Sequence, residues 1–434
     1  GKMPLAIIQP PPYHPSMETR TEILIAGPGA AGLSVAIGLA QGGYQVTLAG
    51  PPDLRRGTRT VALFDGSLRF LDSLGMRELV QAAGQPLAVM RIADDTGSPF
   101  RRPPVEFRAS ELGVEAFGYN VENSELVALL LEKAKSLPSI NLTSDLVDSY
   151  VFTGDQVNAT LASGVQVHAN LLVAADGGNS RARKAAGIKA QRWDYRQVAL
   201  TAVLGHSFDH ENVSSEFHTR QGPCTFVPLP KQDGAKFASS LVWLMSPQEA
   251  KRRMALPAGE LEEEITDAGH FVLGEVKLLR PLNTYPIHGL AARRLSGTRV
   301  VLVGEAAHVL PPIGAQGLNL GFRDAAHLCE VLNADGTPME DAGAAAVLQS
   351  YASKRQMDVS SRTFGVDLLN RALLNHMPHM DFLRGIGITA LAGIGPLRRR
   401  IMQEGMSPQT GAPLVMRNRL PPQDRTGPRK AAIV

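Results

Sequence analysis

One stretch near the start constrains this chain more than any other: Glu22 to Gly50, reading EILIAGPGAAGLSVAIGLAQGGYQVTLAG. The apolar run Ile23 to Ala26 has the length of a strand. Gly27, Pro28, Gly29, Ala30, Ala31 and Gly32 then lead into an apolar helix ending at Gly42 and Gly43, and a second strand follows over Tyr44 to Leu48. Strand, glycine loop, helix, strand is the order a dinucleotide site requires. Gly27 permits the tight turn, Gly29 lets the backbone approach a pyrophosphate, and Gly32 lets the helix pack close to the strand. The helix N-terminus offers unpaired N–H groups and a positive dipole end to the phosphates. Glycine-rich turns also form without ligands, and here the flanking elements favour the nucleotide. One expected residue is missing. An acid usually ends the second strand, about 20 residues on, to bind a ribose hydroxyl, but Ala49 and Gly50 stand there, and the nearest carboxylate, Asp53, sits in a Pro-rich turn.

A chain of 434 residues can bury a large core, and its 44% hydrophobic and 20% charged content suits an ordinary enzyme. The net charge of +3, with no basic run interleaved with aromatics, argues against nucleic acid. Cys224 and Cys329 stand far apart without metal-ligand spacing, which points to reduced thiols, no structural zinc and a cytosolic setting. The first twenty residues lack the apolar core of a signal peptide and are rich in proline, so an extended tail is expected. The most apolar late stretch, Ile386 to Gly395, is about half the length needed to span a bilayer.

Along the chain, Arg59 is placed either to reach a pyrophosphate or to stand as a solvated surface arginine. Leu63, Leu68, Leu71 and Leu74 have the spacing of a short helix. Met90 to Arg108, broken by Gly and Pro, reads as an excursion into a second sheet. Asn123 opens a helix with Val127, Leu130 and Leu131 on its apolar stripe, and its plain role there is an N-cap. A meander over Ser149 to His168 leads to the buried strand Leu171 to Ala175 and then to Asp176, Gly177 and Gly178, with Ser180 opening a basic helix. Asp176 has two readings, a sugar hydroxyl or a helix cap. From Gln197 to Pro286 the pattern is mostly strand, with a helical segment near Glu249 to Ala268, so a second domain with a largely antiparallel sheet is expected. Glu216 and His218 share one strand face, read as an exposed polar face.

The third informative stretch is RVVLVGEAAHVLPPIGAQGLNLGFRDAAHLCEVL. The buried strand Val300 to Val303 ends in Gly304 and Glu305, and Gly314 and Gly317 precede a helix running to about Leu332. A carboxylate and a helix N-terminus so close together suit a ligand with a polyol at one end and an electron-deficient ring at the other. His308 reads as a packed histidine in preference to a catalytic base. Helical regions follow over Ala344 to Asn375 and Asp381 to Met402. The second ends in Arg398, Arg399 and Arg400 and has two readings: a helix packed on the core, or a greasy, basic docking surface for a membrane.

Three blocks now stand in order: GPGAAG, DGGNSRARKAAG and GEAAHVLPPIGAQGLNLGFRD. Together they resemble the class A flavoprotein aromatic hydroxylases, the group built like para-hydroxybenzoate hydroxylase, over nearly the whole chain. Within that group RTVALFDGSLRFLDSLG, GYNVENSELVALLL and GEAAHVLPPIGAQGLNLG look most like the ubiquinone-biosynthesis hydroxylases, which act on polyprenylated phenols. The resemblance implies an α/β fold: a discontinuous Rossmann-like FAD-binding domain (21–88, 109–190 and 283–335) with an inserted, largely antiparallel substrate domain (89–108 and 191–282). A C-terminal helical region (336–406) completes it, between loose tails (1–20 and 407–434).

By position the resemblance places Gly27, Gly29, Ala30, Ala31 and Gly32 on the FAD pyrophosphate, with Arg59 and Asn123 touching the cofactor. Glu305 stands for the family's usual aspartate on the ribityl chain. Gly314, Gln316, Gly317, Leu318 and Asn319 set backbone N–H groups against the pyrimidine side of the flavin. Asp176 and Gly177 match the motif linked to FAD and NAD(P)H use, and Gly50 replaces the second-strand glutamate. The implied activity is hydroxylation of a polyprenyl phenol by molecular oxygen through a flavin hydroperoxide, with NAD(P)H as donor and no metal. No catalytic side chain is implied by the motifs. Two alternatives stand beside it: a hydroxylase of a small soluble aromatic acid, and a non-catalytic flavin-binding assembly component. The expected location is the cytoplasm, with peripheral attachment to the inner membrane or to a biosynthetic complex through the C-terminal helices.

Overall fold

The computed structural model describes residues 18–96, 103–312, 316–334, 336–374, 399, 402–403 and 411–417, with side chains as far as 360 in the last long helix. Most of the C-terminal segment read as a docking helix, most of the two tails and Gly314 lie outside the described residues.

The first sheet is built on parallel strands with the short antiparallel strand Ser296–Gly297 at one edge, in the order Ser296–Gly297, Val300–Leu302, Gln166–Ala174, Glu18–Ala26, Val46–Ala49, Ile140–Thr143. Its register decides where a site can form. Ala26 lies opposite Ala174 on one side and Ala49 on the other, and Ala174 lies opposite Leu302. Four strands that point the same way therefore end at one level, and the chain leaves all four at the same edge, which is where open α/β sheets bind ligands. Pairing begins at Glu18, so the last residues of the stretch read as an N-terminal tail belong to the sheet. Gln166–Ala174 is a single nine-residue strand rather than the end of a meander followed by a second strand. It can do both jobs because it pairs antiparallel with Val157–Leu161 over its first half while running parallel to Glu18–Ala26 along its length.

Helix Ala30–Gln41 follows the first glycine loop and is apolar on nearly every side, with Leu33, Val35, Ala36, Ile37 and Leu39 fully buried. No amphipathic stripe is needed, because it packs between the sheet, helix Asn123–Lys135 and helix Gln316–Leu332. Each of its buried larger aliphatic side chains contributes roughly 1.5–3 kcal/mol of burial. Close approach is enforced at Gly38, where an added Cβ would stand 2.6 Å from Cys329 Sγ.

The second sheet is largely antiparallel, in the order His308–Val309, Asn283–Ala292, Ala190–His206, Phe237–Met245, Gly222–Leu229, Val213–Thr219, Val89–Asp95, Val105–Arg108. The excursion expected after Met90 is real and joins by a parallel pairing to Val213–Thr219. One boundary is corrected. Asn283–Ala292, assigned on sequence to the nucleotide-binding part, pairs along its length with Ala190–His206 and belongs to the second sheet. One face of this sheet carries Leu200, Phe217, Cys224, Phe226, Leu241 and Trp243, buried against Ala250, Leu261 and Ile265 of helices Pro247–Met254 and Ala258–Ala268. The opposite face turns to the first domain, where Thr201 Oγ1 meets Thr58 Oγ1 at 2.6 Å and Ser240 Oγ meets Thr60 Oγ1 at 3.0 Å. Thr60 begins the strand Thr60–Phe64 of a small third sheet, so Leu63 sits in a strand and the following helix starts at Asp65.

Candidate active site

The three glycine-bearing blocks meet at the common sheet edge. Gly27 has φ +106°, and a Cβ there would lie 2.3 Å from the Ala175 carbonyl oxygen and 2.9 Å from Asp176 Cα. At Gly32 it would lie 2.0 Å from the Gly27 oxygen and 3.2 Å from Ala175 Cβ. The first and middle blocks thus touch backbone to backbone. The late block closes the group, since a Cβ on Gly304 would stand 3.5 Å from Ala31 Cβ and 4.0 Å from Gly321 Cα. Gly29 differs from its neighbours: it is exposed and an added Cβ would meet nothing within 4 Å. It caps the helix that begins at Ala30 without any side-chain bond, which leaves the N–H groups of the first turn for a ligand.

The missing second-strand acid has a structural counterpart. Gly50 has φ +126°, and a Cβ there would fall 2.8 Å from Pro28 Cδ. The proline inside the glycine loop and the glycine ending the second strand pack on each other, so this backbone has no place for a carboxylate at 50. Asp53 is occupied by Arg55, whose Nε donates to it at 2.8 Å, and that guanidinium holds the Asp53 carboxyl below its usual range.

Arg59, Asn123 and Glu305, far apart in sequence, come together. The Asn123 N–H donates to the Arg59 carbonyl at 3.0 Å, and Arg59 Nη2 stands 3.9 Å from Glu305 Oε1. Both charged side chains are more than half exposed. The Arg59 guanidinium also lies 5.6 Å from the ring centroid of Tyr285 on the second sheet. Asn123 is the first helical residue, not the N-cap; that position belongs to Glu122, which makes no side-chain cap bond. Instead Glu122 binds Arg280 of the second domain at 2.5 and 3.0 Å. Burial raises the Glu122 carboxyl, but the Arg280 guanidinium outweighs it and the net displacement is downward.

Asp176 divides its oxygens between the two roles expected of it. One accepts from the Ala182 N–H at 3.1 Å, whereas Oδ1 is buried with no partner among the described residues. Gly177 beside it has open space where a side chain would be. Ser180 caps the short helix Arg181–Ala185 through the Arg183 N–H at 2.9 Å. Arg183 then donates to Ala306 O at 2.7 Å and Gly178 O at 2.9 Å, binding the middle block to the late one.

In the late block the Asn319 side chain holds the fold. Its amide oxygen accepts from the Phe64 N–H and Ser67 Oγ, and its nitrogen donates to Ala62 O at 2.8 Å. Gln316 is half-buried, Gly317 is exposed, and Leu318 packs against the main core. Beneath the Gly304–Glu305 turn lies a buried charge network. One Asp324 oxygen accepts from the Gly304 N–H at 2.9 Å and sits 2.6 Å from His308 Nε2; the other accepts from Arg355 Nε at 2.7 Å. Arg355 also binds Asp358, which accepts from Arg323 at 2.8 Å. Burial raises the Asp324 carboxyl, and His308 with Arg355 more than reverses this. His308 is 2% exposed, the packed histidine of the sequence reading.

Sequence reasoning does not find Tyr285, Arg183, Asp324 or Arg355. The available signal for the last pair was a carboxylate and a guanidinium at the core-facing positions of two helices. Among the described residues no cluster of His, Cys, Asp or Glu is arranged to hold a metal.

The family described as FAD binding domain matches residues 20–363. The chain belongs to this family of FAD-dependent aromatic hydroxylases. Among curated relatives, ubiquinone hydroxylase UbiL of Rhodospirillum rubrum is 32% identical over 402 residues, covering 91% of each chain. The 3-demethoxyubiquinol 3-hydroxylase of Escherichia coli is 31% identical over 402 residues, 88% of this chain and 97% of that one. The crystal structure of p-nitrophenol 4-monooxygenase PnpA from Pseudomonas putida DLL-E4 shares the fold, with a TM-score of 0.74 at 18% identity over 90% of this chain and 99% of that one. FAD is the cofactor of the family, and the residues present fit it. The open cradle at Gly29, between two glycines packed too tightly for any side chain, suits a pyrophosphate, and the unpartnered Asp176 oxygen and the exposed Glu305 suit hydroxyls.

Proposed function

We propose that the chain hydroxylates the aromatic ring of a polyprenyl phenol in ubiquinone biosynthesis, with NAD(P)H as electron donor. The observation that carries this reading is the convergence of the three loops at one strand-end edge, directly beside the inner face of the second sheet. Bound FAD supplies the redox chemistry that activates oxygen. The Gly27–Gly32 loop holds the pyrophosphate against the N-terminus of helix Ala30–Gln41. Asp176 and Glu305 accept hydrogen bonds from cofactor hydroxyls, and Arg59 answers the negative charge of the phosphates. Backbone N–H groups over Gln316–Asn319 steady charge on the flavin ring. The sheet face bearing Ala199, Val242 and Leu244 keeps water from the reacting ring and accepts an apolar substrate. Among the described residues no helix is long and apolar enough to cross a membrane.

A strain deleted for the chain should accumulate a quinone precursor lacking one ring hydroxyl. The purified protein should be yellow and should incorporate labelled oxygen into the phenol while oxidising NAD(P)H. Unchanged quinone in the deletion strain would refute the assignment.

A further inference from the structure

The second sheet carries one polar pair that the cofactor site does not use. Glu216 and His218 stand two residues apart on Val213–Thr219, so alternation turns both to one face. The register identifies that face. Glu216 lies opposite Thr225, Thr225 opposite Val242, and Val242 opposite Thr201, whose hydroxyl touches Thr58 next to Arg59. In the adjoining row Leu244 lies opposite Ala199, and Ala199 opposite Tyr285, over which Arg59 stands. The pair therefore looks toward the first domain, three strand spacings or about 14 Å across the sheet from Thr201. The ground between is apolar: Ala199, Val242 and Leu244 pack together there.

His218 Nε2 is 2.6 Å from Glu216 Oε1, and Thr225 Oγ1 donates to the other Glu216 oxygen at 3.4 Å. The side chains are only 14% and 24% exposed, so this is not a solvated surface pair. A carboxylate that takes the Nε2 proton fixes the imidazole tautomer and leaves Nδ1 to accept another. No partner for Nδ1 stands among the described residues. The described charged group opposite His218 is Asp94, whose carboxylate is turned onto Thr96. Asp95 and Arg253 belong to the other face, Asp95 opposite Thr219 and Arg253 stacked on Trp243.

A phenol has an ordinary pKa of about 10, and an apolar site raises it further. A ring that must act as the electron-rich partner of oxygen insertion therefore needs a local base. We infer that Glu216 and His218 are the proton acceptor for the ring hydroxyl of the substrate phenol. The inference rests on the hydroxylase reading above. The phenol O–H bond breaks, an N–H bond forms at His218 Nδ1, the bonding pair stays on the ring oxygen, and the Glu216 carboxylate offsets the imidazolium. No electron changes hands in this step, and the proton returns to the product hydroxyl.

The test uses the FAD-loaded protein with 2-prenyl-4-nitrophenol, whose ionised form alone absorbs in the visible. Wild type, His218→Gln and Glu216→Gln are compared at one pH for the ratio of ionised to neutral probe in the bound state. Wild type should exceed His218→Gln by about tenfold, one pKa unit, with Glu216→Gln between them and FAD retained in all three. Variants that keep FAD and bind the probe with the wild-type ratio overturn the inference and leave the hydroxylase reading intact. Loss of FAD from both variants makes the pair a structural tie and overturns it as well. Wild type that holds FAD but neither binds the probe nor hydroxylates any phenol overturns both readings.

Discussion

The first glycine loop and the late loop at Gly304–His308 stand side by side at one sheet edge and are held by opposite means. The first is shaped by backbone atoms in contact, Gly27 on Ala175 and Gly32 on Gly27, and carries no charged side chain between 27 and 32. The second rests on Asp324, which takes the Gly304 N–H and His308 and is answered by a fully buried Arg355. A loop held by contact is insensitive to pH and salt but admits no added atom at its points of contact, Gly27 and Gly32. A loop held by buried charge is little affected by salt, yet it depends on every partner and on the protonation of each.

The largest effect that separates the two should come from Asp324→Asn. The backbone N–H of Gly304 keeps an acceptor, but Arg355, 0% exposed, loses one of its two carboxylates. Breaking a buried pair costs about 3–5 kcal/mol, and urea unfolding should show that loss with FAD retention falling in parallel. A change under about 1 kcal/mol would mean that packing, not charge, holds the late loop. Gly27→Ala attacks the other side. It adds a left-handed backbone cost of roughly 1–2 kcal/mol to an overlap with the Ala175 carbonyl, about 2–4 kcal/mol in all. Its loss should be the same at pH 6 and pH 8, whereas that of Asp324→Asn need not be.

The same contrast explains what the amino-acid order reveals. The first loop is legible because its requirement lies in one contiguous stretch: a strand, glycines where a turn and a close contact need them, then a helix. The middle and late blocks are legible for the same reason, since Asp176 and Glu305 each end an apolar run. Asp324 is not, because its partners stand at 304, 308 and 355, and no local pattern joins them. Asn283–Ala292 goes astray for a related reason. Alternation announces a strand but not the sheet it joins, and only its pairing with Ala190–His206 decides that. Gly50 reads as a missing ligand, while its contact with Pro28 shows that the loop and the second strand have adjusted to each other. Glu216 and His218 read as an exposed face because exposure depends on the domain that the sheet meets.

Acid should act on the late region through His327, on the same helix as Asp324. Burial is the main cause of its lowered pKa, with Arg355 and Arg323 adding to it against the bond to Gly411 O, and the result is about 4. Between that value and the ordinary 6.5 the unfolded chain binds a proton that the folded chain refuses, so stability falls as pH drops through this window, by roughly 3 kcal/mol. Asp324 adds a second, lower window. Its folded pKa lies below the usual 3.8, so its contribution is present above 3.8 and is lost as pH falls further. Unfolding free energies measured from pH 7 to pH 4 should flatten in His327→Gln, while Gly27→Ala should keep the wild-type slope. An unchanged slope in His327→Gln would remove this histidine from the account.

The smallest effect is the most discriminating for the first loop. Gly29 has φ −75° and ψ 175°, extended backbone that any residue adopts, and a Cβ there meets nothing within 4 Å. Nothing in the folded protein requires glycine at this position, unlike at 27 or 32. Gly29→Ala should therefore leave the apoprotein as stable as wild type, or more stable by about 0.4–1 kcal/mol through the stiffer unfolded chain. If a pyrophosphate lies against this residue, the added methyl stands in its way, and FAD affinity should fall about tenfold, roughly 1.4 kcal/mol. Calorimetric titration of apoprotein with FAD, beside thermal unfolding of the same sample, separates the two quantities. Equal affinity would move the pyrophosphate off the loop; lost stability would mean that Gly29 serves the fold after all.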